Sequence, residues 1–67
     1  MKYTITGEKK ELKYGLVDYI AEAYIEEDGD RIPCEVGYID DEPMFIFITE
    51  DGITKSGHHY YKETIKL

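Results

Sequence analysis

Apolar side chains recur at every second position from Val17 to Ile25 (Val17, Tyr19, Ala21, Ala23, Ile25) and again from Ile32 to Tyr38 (Ile32, Cys34, Val36, Tyr38). A period of two marks a strand with one face buried. Asp28-Gly29 stands between the two runs. That dipeptide suits a two-residue type I′ hairpin, whose central positions both need positive φ. Folding the chain there sets Ile25 opposite Ile32, Ala23 opposite Cys34, Ala21 opposite Val36 and Tyr19 opposite Tyr38. The other face then carries Asp18, Ile20, Glu22, Tyr24 and Glu26 against Ile39, Gly37, Glu35, Pro33 and Arg31, an acidic surface with apolar inclusions.

Upstream, a loop at Glu8-Lys9 predicts a second hairpin with Ile5 opposite Leu12 and Tyr3 opposite Tyr14. Apolar residues run on even positions (Leu12, Tyr14, Leu16) and switch to odd ones (from Val17) just after Gly15, which predicts a bulge or barrel corner there. Downstream, Met44 to Glu50 and His58 to Leu67 read as strands. Met44 to Ile48 is apolar on both faces, so it is either central and covered twice or shows one face to a partner.

These elements predict an all-β chain: a small five-stranded antiparallel meander or partly open barrel of SH3-like or OB-like type, with residues 1–67 as one domain. The competing reading is α+β, with residues 11–27 as a helix packed on an antiparallel sheet. Leu12, Leu16, Tyr19, Ile20, Ala23 and Tyr24 also fit a 3.6-residue period. Gly15 inside that helix, Val17 and Ile25 off its apolar face, and Glu26, Glu27 and Asp28 at the negative end of its dipole weigh against it.

Length and composition narrow the function classes. A chain of 67 residues makes a small core and needs help to be stable, yet Cys34 is the only cysteine and excludes an internal disulfide. A lone thiol, no apolar leader in Met1 to Lys10 and a longest apolar run of five residues predict a cytoplasmic protein with no membrane segment. Charge is the most uneven feature: residues 18–42 hold ten of the fifteen carboxylates, with Arg31 their only basic neighbour. Such a block repels phosphate backbones and attracts basic surfaces, which excludes direct nucleic-acid binding despite Tyr60, Lys62 and Lys66.

Catalytic and metal chemistry find little support. Asp28, Asp30, Asp40, Asp41 and Glu42 do not follow the calcium-loop spacing, because Gly29 and Ile32 break it, and they read as turn residues. His58 and His59 point to opposite faces of a strand and leave zinc short of ligands beside Cys34. Cys34 shares its face with Ile32 and Val36, so it reads as a buried apolar group and not as a nucleophile for His59. No cofactor motif is present. The expectation is a protein that is not an enzyme and takes no metal or cofactor.

In its shortness, acidity and seven tyrosines the chain resembles the small inhibitors made by phages and mobile elements, DNA mimics among them. That resemblance is one of type. It implies a protein that binds another protein and occludes its basic, nucleic-acid-binding surface. Asp18, Glu22, Glu26, Glu35 and the Asp40-Asp41-Glu42 turn would supply the electrostatics, with Tyr24 and Ile39 as apolar anchors. The alternative is a structural or regulatory module that forms a homodimer or joins an assembly through strand 44–48.

Overall fold

The computed structural model describes residues 2–11, 16–53 and 59–67, with backbone alone for 49–53, 59 and 60. Six strands form one antiparallel sheet: β1 (Lys2–Ile5), β2 (Lys10–Glu11), β3 (Tyr19–Glu27), β4 (Asp30–Ile39), β5 (Glu42–Ile53) and β6 (His59–Lys66). The order is β1-β3-β4-β5-β6, with β2 also on β3, and the sheet does not close into a barrel. Tyr19–Glu27 is strand throughout and no helix forms among the described residues, so the helical reading of 11–27 fails. Its apolar residues satisfy both periods. Pairing with β4 decides between them, because a strand there buries Ala21, Ala23 and Ile25 together.

The β3–β4 hairpin has the register that its alternation predicts: Tyr19 opposite Tyr38, Ala21 opposite Val36, Ala23 opposite Cys34 and Ile25 opposite Ile32. Asp28 and Gly29 both take positive φ, 49° and 84°, as the type I′ turn demands. Asp40 and Asp41 repeat the device between β4 and β5, at 52° and 65°. Aspartate tolerates this region better than most residues.

Val36 and Ile46 have zero exposure and centre the main core with Ala23, Ile25 and Cys34; Tyr3, Ile32, Tyr38, Ile48 and Ile65 pack around them. Burying one such aliphatic side chain contributes about 1.5–3 kcal/mol, which is a large share of a small domain's stability. Pairing puts these residues on one face of β3, β4 and β5. A second cluster of Val17, Ile20 and Phe47 lies on the other face, with Ile39 and Phe45 against it. Gly37 makes this second cluster feasible. A Cβ at that position would stand 2.7 Å from Phe47 Cε2 and 2.8 Å from Val17 Cγ1, closer than real side chains approach.

Two expectations change, and one open alternative closes. Segment 2–11 does not fold back on itself; β1 and β2 both run antiparallel along β3, with Ile5 opposite Ala23 and Lys10 opposite Ile20. The reason is local: Glu8-Lys9 offers no residue suited to positive φ, whereas Thr6 and Gly7 both donate their N–H to the Glu22 carbonyl and bulge past it. Leu12, Tyr14 and Gly15, to which the predicted hairpin and corner were assigned, lie outside the described residues. Val17 joins Ile20 and Phe47 instead of the Tyr19 face, so a change of face falls between Val17 and Tyr19. Finally, strand 44–48 is paired to β4 on one side and β6 on the other, with Ile46 and Phe47 buried on opposite faces. It is central and covered.

Candidate interaction surface

The β3–β4 hairpin carries the acidic block, and its two ends are built differently. At the β4–β5 turn, Asp18 donates its backbone N–H to the Tyr38 carbonyl at 2.8 Å, and its Oδ2 accepts the N–H of Asp40 at 3.1 Å. That bond holds the turn against the start of β3. Lys9 arrives from the β1–β2 connection, forms an ion pair with Asp41, and lies 5.2 Å from the Tyr38 ring centre and 5.9 Å from that of Tyr19. Its ammonium is held above the ordinary lysine pKa of 10.5, first by the hydrogen bond to Asp41, which outweighs the opposing desolvation, with the fields of Asp41, Tyr38 and Tyr19 adding to it. Lys9, Glu11, Asp18, Tyr19, Asp40 and Asp41 line a wide, open depression here.

The far end of the hairpin is the Asp28-Gly29 turn. The strand between, Asp30–Ile39, spans ten residues or about 30 Å, so Asp28 and Asp30 never meet Asp40, Asp41 and Glu42. Among the described residues no three His, Cys, Asp or Glu side chains form a group that could hold a metal ion. Cys34 is buried, and burial, then the field of Glu35, pushes its thiol pKa above 9.0. A raised thiol pKa is the opposite of what a thiolate nucleophile needs. His58 lies outside the described residues.

Between the two ends runs the outer face of the hairpin. Glu22 and Glu26 are exposed on it, four residues and about 13 Å apart, with half-buried Tyr24 between them. The Arg31 guanidinium lies 4.6 Å from the Tyr24 ring centre, a cation–π arrangement that covers one side of the ring. Asp18, Asp40, Asp41 and Glu42 are exposed too. Two residues expected on this surface are placed elsewhere. Glu35 is buried at 6% exposure, as the cross-strand partner of Phe47 and Glu22, and does not present its charge to solvent. Ile39 packs against the Val17, Ile20 and Phe47 cluster, so most of its apolar surface is already spent inside the protein. The same holds for Ile20, which alternation placed outward: the chain at Val17 folds over that half of the face.

The fold also moderates the field. Residues 18–42 contain one basic residue, but β1 and β2 bring Lys2 beside Glu26 and Lys10 beside Ile20, and Lys9 reaches Asp41. No local pattern in the sequence could have found Lys9, since its role depends on which strand β2 joins. Near Phe47, Tyr61 stands with its ring 4.8 Å away, and burial and the field of Glu35 raise its phenol above 10.0. No helix among the described residues is long and apolar enough to cross a membrane. No protein family, curated protein or solved structure matches the chain.

Proposed function

We propose that this protein is a non-enzymatic binding protein that covers a basic, nucleic-acid-binding surface of a larger protein. The observation that carries the reading is the run of exposed carboxylates along one rigid hairpin: Glu22 and Glu26 on its outer face, with Asp18 and Asp40 to Glu42 at one end. Carboxylates on a sheet are held in fixed register, so they meet lysines and arginines without a large ordering cost. Tyr24, backed by Arg31, gives that face an aromatic group near its middle. Aromatic groups ringed by charge are the composition that protein interfaces favour. Glu35 is buried and Ile39 packs on the Val17, Ile20 and Phe47 cluster, so neither belongs to the contact surface in this reading.

The test is a pull-down from bacterial lysate at low and high salt, comparing the native chain with Asp18→Asn/Glu22→Gln/Glu42→Gln. The expected result is salt-sensitive capture of a nucleic-acid-binding protein, weaker with the triple variant, and loss of that protein's nucleic-acid binding when the native chain is added. Identical capture by both versions at both salts, or a captured protein that keeps its nucleic acid, overturns the reading. Self-association through strand 44–48 has no free edge to use, since both of its edges are already paired.

A further inference from the structure

The concave face opens into a cleft of about 310 Å³ at the Asp28-Gly29 end of the sheet. Its floor is aliphatic: Ile25, Ile32, Ile48 and Ile65, one from each of β3, β4, β5 and β6. Its rim is acidic, with Glu27 from β3 and Glu63 from β6; Glu26 also borders it but belongs to the outer face, beside Lys2. In a flat sheet β3 and β6 would stand about 14 Å apart, three strand spacings. Here they border one cleft, so the sheet curls and sets carboxylates on two facing walls. Neither the Glu27 nor the Glu63 carboxylate makes a hydrogen bond or ion pair among the described residues, and none of the described lysines or Arg31 lines the cleft.

An apolar slot with a negative rim has one natural complement, an alkyl chain that ends in a positive charge. Lysine and arginine side chains are built that way: their methylene stems cover apolar surface while the charged head stays at the polar boundary. We propose that this cleft seats a lysine or arginine side chain of the partner protein, the stem on the four isoleucines and the head between Glu27 and Glu63. The proposal rests on the reading that the partner is basic, and it adds a second contact on the face opposite Glu22 and Tyr24. A hairpin gripped on both faces would be held in register as well as steered.

Small probes test the cleft apart from any partner. Hexylammonium carries the chain and the charge, hexanol the chain alone and hexanoate the wrong charge; each is titrated into the native chain while the isoleucine methyl NMR signals are followed. Saturable shifts at Ile25, Ile32, Ile48 and Ile65 with hexylammonium are expected, with affinity falling roughly threefold to tenfold in Glu27→Gln/Glu63→Gln and with hexanol unaffected by that change. Equal binding of hexanol and hexylammonium, shifts that miss the four isoleucines, or no saturable binding by any probe overturns the proposal. A diffusion coefficient that depends on protein concentration and loses that dependence with hexylammonium would hand the cleft to a lysine of a second copy, and overturns it also. If Glu27→Gln/Glu63→Gln loses hexylammonium but keeps full capture of the nucleic-acid-binding protein, the partner reading stands and the cleft is not part of it.

Discussion

The two ends of the acidic hairpin are made from nearly the same residues and differ in what they leave unsatisfied. Both turn on two residues with positive φ, Asp28-Gly29 at one end and Asp40-Asp41 at the other. At the Asp40 end the charge is answered within the molecule, since Lys9 pairs with Asp41 and the Asp40 N–H goes to Asp18. At the Asp28 end Glu27 and Glu63 stand around aliphatic surface with no ion pair among the described residues, while Glu26, on the outer face, has Lys2 beside it. Counting carboxylates therefore says little about where a ligand would go. What distinguishes the ends is whether a delivered cation closes an ion pair: Lys9, just before β2, pairs with Asp41, whereas Lys2 of β1 stands beside Glu26 on the outer face and leaves Glu27 and Glu63 without an ion pair among the described residues.

The largest effect is expected from a change that erases the distinction by unfolding both ends together. Ile46→Ala removes most of a side chain with zero exposure and should cost about 2–5 kcal/mol, with a single cooperative transition seen at a lower urea midpoint. Two transitions would mean that the ends are separate units. Gly37→Ala acts on the other layer by pushing into Phe47 and Val17, and should destabilise by about 1–3 kcal/mol in the same titration. A neutral result would show that those side chains move aside freely.

The turns themselves come next. Gly29→Ala puts a Cβ into a backbone at φ 84° and should cost about 1–2 kcal/mol, although nothing lies within 4 Å of it. Asp40→Gly relaxes φ 52° and keeps the N–H that Asp18 accepts, so its melting temperature should stay near that of the native chain.

Alkaline pH acts first on two groups away from both turns, the buried Cys34 and Tyr61 beside Phe47. The Cys34 thiol is raised above 9.0 and the Tyr61 phenol above 10.0 in the folded state, so the unfolded chain loses those protons first. Stability from these groups is complete below about pH 9 and declines as pH rises through the folded values. Cys34→Ala should abolish the part of the decline that begins near pH 9.0, read from urea midpoints at stepped pH. A decline that is unchanged in Cys34→Ala would assign it elsewhere. The smallest effect is expected from Asp41→Asn, which frees Lys9 from an exposed ion pair: the NMR signals of Tyr19 and Tyr38 should shift, with hardly any change in stability.

Alternation and turn chemistry were enough to place the β3–β4 hairpin, down to the cross-strand pairs, because that information is local. A period of two names the buried face, and Asp28-Gly29 leaves one register that keeps Ala21, Ala23 and Ile25 with Val36, Cys34 and Ile32. The same local signals also determined that Cys34 is buried and that Glu22, Glu26 and the Asp40 turn are exposed. Pairing between distant segments was decided only by the tertiary structure. Alternation assigns a residue to one of two faces but does not say what covers that face, so the burial of Glu35 and Ile20 was illegible until Val17 and Phe47 took their places. Nor does alternation say which strand a short segment will join. Lys9 reached Asp41, 32 residues away, because β2 chose β3, and Glu63 came to share a cleft with Glu27 across four isoleucines because β6 joined β5 and the sheet curled.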